Sequence, residues 1–142
     1  MNGLYNNLKA LRVVGPVAIG ANATVTGKII DRKGFGHVAF FSSYGAIVTS
    51  GSVVTLVVKE GDVTGTMTSV ADSNLLGTEA LASRLVGATT SGTGQNVAKR
   101  IGYRGFKRYV TCDAVKTGTT SVGCMAVTAV LGSPDVAPVA NP

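Results

Sequence analysis

The clearest alternation in the chain runs through 108–115. Val110, Cys112 and Ala114 fall on one side and Tyr109, Thr111 and Asp113 on the other, the period of two of a half-buried strand. The run 122–131 is apolar on both sides apart from Thr128, the pattern of a strand inside a sheet with both faces covered. Lys116-Thr117-Gly118-Thr119-Thr120 separates the two as a turn, so together they predict a hairpin. With the loop at 117–119 and a glycine-assisted bulge, Val110 lies opposite Ala126, Cys112 opposite Cys124 and Ala114 opposite Val122. The apolar sides then coincide.

Upstream the pattern is a series of short strands. Segment 1–14 places Leu4, Leu8 and Leu11 at helical spacing, but is too short to hold a helix without packing, so it reads as a helical turn or an extended arm. Strand patterns follow at 17–19 and 23–30, with Asn22 and Gly27 as bends and Asp31-Arg32-Lys33-Gly34 as a turn. In 35–47, His37, Ala39 and Phe41 alternate with Val38, Phe40 and Ser42, as in a core strand. Gly51-Ser52 turns into a strand at 53–59, Gly61-Asp62 turns again, and 64–71 is a threonine-rich strand. Segment 78–85 fits a helical turn begun by Thr78, or an edge strand and loop, and 87–94 is a loop by composition. A strand at 95–103 and a bend at 104–106 lead back to the alternating stretch. After Leu131, Pro134, Pro138 and Pro142 rule out a sheet interior and predict an extended arm.

Eight or so strands at short spacing, without repeats, predict an all-β protein: a single jelly-roll-like β-sandwich at 15–131, with arms at 1–14 and 132–142. Composition adds one constraint. Only 14% of the 142 residues are charged, too few to cover a monomer, which favours a homo-oligomer or docking on a larger assembly. The net charge of +6 favours acidic partners, either nucleic acid or an acidic protein lattice.

The chemistry in the sequence is sparse. The seven carboxylates show no acid/base pair spacing, no serine sits in a nucleophile elbow, and the glycines of 87–94 lack the following Lys-Ser or Lys-Thr of a phosphate loop. His37 has no companion ligand and reads as a ring beside the core. No enzyme, cofactor or metal site is expected. Nothing resembles a signal peptide or a membrane span, which predicts assembly in a cytoplasm, with Cys112 and Cys124 reduced and buried.

One cluster stands out: Arg100, Tyr103, Arg104, Phe106, Lys107 and Arg108, with Lys99 and Tyr109 beside them. Either its rings plug one end of the sandwich while its cations stay solvated, or it is a partner-binding patch of the Arg and Tyr type favoured at interfaces. Single-stranded nucleic acid is a weaker fit, because there is no second basic run.

Four runs carry a resemblance. L-L-G-T-E-A (75–80), R-I-G-Y-R-G-F-K-R-Y-V (100–110), A-V-T-A-V-L-G-S-P-D-V-A-P (126–138) and D-R-K-G-F-G-H-V-A-F (31–40) resemble a family of small tailed-bacteriophage head proteins, across 29–138. Asp135 stands where that family usually carries a basic residue. The resemblance implies a virion structural protein: a capsid decoration or cement protein, trimeric by analogy, bound to the major capsid protein on the head's outer surface and bridging capsomers. A head-fibre base or a tail component is the related alternative. G-F-K-R-Y-V-T (105–111) also resembles a strand of discoidin-like carbohydrate-binding sandwiches, but the chain has no Trp on which to stack sugars.

Overall fold

Alternation in the fourth strand sets the interior. Val38, Phe40, Ser42 and Tyr44 are buried, whereas His37, Phe41 and Ser43 face out, as a period of two requires. A computed structural model describes residues 3–18, 22–46, 53–83, 96–117 and 123–140. The predicted loop at 87–94 and the turns at 51–52 and 118–120 lie outside the described residues.

In chain order the elements are α1 (Gly3–Asn7), β1 (Lys9–Ala18), β2 (Thr24–Val25), β3 (Ile30–Asp31), β4 (Phe35–Tyr44), β5 (Val53–Val63), β6 (Thr66–Ser69), β7 (Leu75–Leu76), α2 (Glu79–Ala82), β8 (Val97–Tyr103), β9 (Tyr109–Thr117) and β10 (Cys124–Pro134). One antiparallel sheet has the order β1-β10-β4-β8-β7; the other runs β2-β9-β5-β6, with β3 also on β9. Between them lies one core, including Val14, Phe40, Leu56, Ile101, Val110, Val127 and Leu131. The fold is an all-β sandwich. Its antiparallel partners are β1 with β10, β2 with β9, β4 with β8 and β5 with β6, the nested pairing of a jelly roll.

That pairing overturns the predicted hairpin. β9 pairs with β5, setting Cys112 opposite Val58 and Ala114 opposite Leu56, while β10 lies between β1 and β4 in the other sheet. Two strands facing each other across a core need the same apolar pattern as two strands side by side, so alternation alone cannot choose between them. The exposures are also reversed. All of Val110 to Ala114 is buried in β9, whereas β10 alternates, with Met125, Val127, Ala129 and Leu131 inside and the residues between them half-covered.

The cover over β9 is the bulged segment between β2 and β3. Gly27 N–H donates to Asp113 Oδ1 (2.9 Å), and Thr111 Oγ1 donates to the Lys28 carbonyl (3.1 Å). Only glycine fits there, since a Cβ would collide with the Cys112 carbonyl and lie 2.8 Å from Val13 Cγ1. The second Asp113 oxygen pairs with Lys59 Nζ at 2.7 Å.

The cysteines part company. Both are free thiols, but Cys112 is buried and Cys124 is exposed, against the prediction that both are buried neighbours. Burial, with help from Asp113 and Glu79, pushes the Cys112 thiol up to about 12. Native protein treated with a maleimide should therefore label once, at Cys124, and Cys112 should react only after unfolding. Two fast thiols would show that β9 is not sealed.

The terminal segments are tied in. The stretch read as a leader holds α1 and the start of β1, whose Val13 and Val14 are core residues. Beyond β10 the tail folds back: Asp135 N–H donates to the Gly34 carbonyl (2.9 Å) and Val139 N–H to that of Asn6 (2.8 Å). Of the two readings of 78–85 the structure takes the helical turn: Thr78 starts α2, its hydroxyl accepting from Leu81 N–H at 3.1 Å.

Candidate functional site

The segment 104–108 carries the chain from β8 in one sheet to β9 in the other and closes one end of the sandwich. Tyr103, the last residue of β8, is its strut. The ring is 1% exposed; its hydroxyl donates to the Glu60 carboxylate on β5 and accepts from Lys107 N–H (3.1 Å). Burial first, and then the Glu60 carboxylate, push the Tyr103 phenol up to about 12, so it remains a neutral donor.

Arg32 crosses the same end. Its guanidinium lies 5.3 Å from the Tyr103 ring centroid and donates to the carbonyls of Gly105 (2.5 Å) and Gly36 (3.2 Å). Arg104 N–H donates to the Asn74 carbonyl (2.9 Å), and Arg32 N–H to that of Arg108 (3.0 Å). Gly105 is buried against Tyr103, where any Cβ would collide with the ring. The segment is braced from both sheets.

The six predicted site residues do not form one basic patch. Tyr103 is internal. Arg108 makes a two-pronged ion pair with Asp31 (2.9 and 2.7 Å) and stands 5.0 Å from the Tyr109 ring centroid. That guanidinium, followed by the Lys33 N–H, holds the Asp31 carboxyl down at about 2. Lys107 pairs with Asp62 at 2.5 Å. Arg100 lies elsewhere, outward on β8 opposite Phe41 of β4. This leaves Arg104, without an ion-pair partner among the described residues, and Phe106, which is 97% exposed. The rings plug the end as one reading expected, but only through Tyr103.

Two features escaped the sequence reading. On the outer face of the first sheet, Phe41, Leu76, Leu81, Ala39, Gly102 and Arg100 line a groove of about 560 Å³. Leu76 and Leu81 come from β7 and α2, which only the fold brings beside β8. At the braced end, α1 and the tail present Leu4, Tyr5 and Val136, each more than 70% exposed. Among the described residues no three His, Cys, Asp or Glu side chains converge on a metal position, and no helix is long and apolar enough to cross a membrane.

No family model matches the chain. No curated protein matches it either. Solved structures do. The infectious bursal disease virus VP2 subviral particle aligns with 90% of this chain at 8% identity and a TM-score of 0.49. The chain spans only 32% of that VP2 protein's length. The SPBc2 prophage-derived protein YomS aligns with 89% of this chain and 94% of its own length, at 11% identity and a TM-score of 0.41. A Bacillus endospore appendage protein, from disulfide-linked pili, aligns over 90% and 92% of the two chains at 15% identity and a TM-score of 0.36.

Proposed function

We propose that this protein is a non-enzymatic structural component of a tailed-phage virion, a decoration protein that binds the major capsid protein on the outer surface of the head. In this role it holds neighbouring capsomers together and is added during assembly in the host cytoplasm. The observation that carries the reading is the gathering of exposed apolar side chains at one end of the sandwich. Leu4, Tyr5 and Val136 stand out from α1 and the tail, which are bonded to each other through Val139 N–H and the Asn6 carbonyl. Exposed apolar groups on a braced support suit docking better than solvation. The runs resembling the phage head family add support, since 126–138 is β10 with the tail and 100–110 contains the closing segment.

The double variant Leu4→Asp, Val136→Asp tests the reading, because neither side chain contributes to the core. Its melting temperature should match the parent's, while its occupancy on purified heads should fall at least about tenfold, the loss typical of one or two interface anchors. Heads carrying the parent protein should also survive heating that ruptures stripped heads. If stripped heads survive equally, or the double variant fills every site, the decoration reading fails and a fibre base or tail component replaces it.

A further inference from the structure

Phe106 and the groove around Arg100 are complementary surfaces that one molecule cannot bring together. Phe106 is 97% exposed, so it does not occupy the groove of its own chain. The groove is open in turn, with Phe41, Leu76 and Leu81 at 38%, 56% and 70% exposure. Gly102 supplies no side chain to the groove floor, and a Cβ there would press to 3.0 Å from that of Leu76. Leu76 lies over Gly102, and Phe41, Leu76 and Leu81 border the open part of the groove.

The electrostatics match as well. Among the described residues, which include all seven Asp and Glu side chains, Arg100 has no ion-pair partner. Beside Phe106, Asp62 pairs with Lys107 while its side chain remains 70% exposed, leaving oxygen lone pairs free for a second cation. The backbone on either side of the ring is held beforehand. Tyr103 bonds the Lys107 N–H and Arg32 the Gly105 carbonyl, so little backbone freedom remains to be lost on binding. An exposed aromatic on a braced backbone, flanked by charge, suits an interface anchor.

We propose that the occupant of the groove is a second copy of this chain, whose Phe106 seats between Phe41, Leu76 and Leu81 while its Asp62 meets Arg100. The contact is head-to-tail, knob of one copy into hole of the next, and such contacts close into rings when the rotation permits. The low charge content agrees with this, because each contact removes apolar surface that charged groups do not cover. The inference does not depend on the virion reading, since the leader and tail patch is left free.

The test uses the full chain. Sedimentation at micromolar concentration should show the parent as an oligomer, with Phe106→Glu and Leu81→Glu each monomeric at unchanged melting temperature. Directionality is read by cross-linking in a Cys124→Ser background. Phe106→Cys mixed with Leu81→Cys should form mixed disulfide dimers at least about tenfold faster than either variant alone, because only the mixture brings the two thiols into one contact. A monomeric parent, an intact oligomer in either Glu variant, or equal cross-linking in the unmixed variants would overturn the proposal. Head occupancy of Phe106→Glu is scored separately, so loss of self-association with retained docking is distinguishable from failure of the decoration role.

Discussion

Asp113→Ala should lower the unfolding free energy by about 3 kcal/mol, the cost of removing one partner from a buried polar network. The carboxylate is 5% exposed and satisfies two groups, Gly27 N–H and Lys59 Nζ. Lys59 is 35% exposed and can turn to water when the carboxylate is gone. Gly27 cannot. It is buried, pressed onto β9, and its N–H would be left without an acceptor. Asp113→Asn keeps an oxygen for Gly27 and replaces the one facing Lys59 with an amide donor, from which Lys59 can turn to water, so it should cost less, about 1 kcal/mol. Urea titration of the two variants separates the terms. If Asn costs as much as Ala, the ion pair and not the backbone bond holds the bulge over β9.

The second large effect is at Tyr103. Tyr103→Ala should cost about 4 kcal/mol, because it empties a fully enclosed aromatic site in the core. Tyr103→Phe keeps the packing and removes only the hydroxyl, which joins the Glu60 carboxylate to Lys107 N–H. About 2 kcal/mol is expected, the range for hydrogen bonds to charged groups. Hydrogen exchange supplies a local readout, since the Lys107 amide should lose protection in Tyr103→Phe while the β5–β9 ladder keeps it. Unchanged exchange at Lys107 would show that the other contacts of 104–108, those of Arg32 and Asn74 among them, brace it without the Tyr103 hydroxyl.

Much of the fold was legible because the alternation in β4, the Thr78 cap and the turn residues at 31–34 each specify local structure, although β5 runs on through the predicted turn at Gly61-Asp62 to Val63. Pairing was not. A jelly roll sends its long consecutive strands to opposite sheets, so the predicted hairpin and the predicted fold excluded each other, and only non-local packing decides. β1 was hidden for a different reason. Its register shifts between Arg12 and Val14 and again before Val17, so Val13 and Val14 are both buried and the period of two is lost. The geometry of the candidate cluster was not legible because cations adjacent in sequence find their carboxylates far away. Asp31 reaches Arg108 and Asp62 reaches Lys107 through the closure of the sandwich, and no local window contains both partners.

The pairing of β1 with β10 also bears on how the chain acquires its structure. Lys9 sits opposite Leu131, and β10 also carries the full length of β4 on its other side. The tenth strand made is therefore an interior plank of the first sheet, not its border. Until the ribosome has released it, β1 and β4 have unsatisfied edges and the second sheet has no complete lid. Such long-range closure places folding in the slow, millisecond-to-second class of β proteins. For that interval the open strand edges of the nascent chain invite edge-to-edge association, and a truncation before Cys124 removes the centre of a sheet.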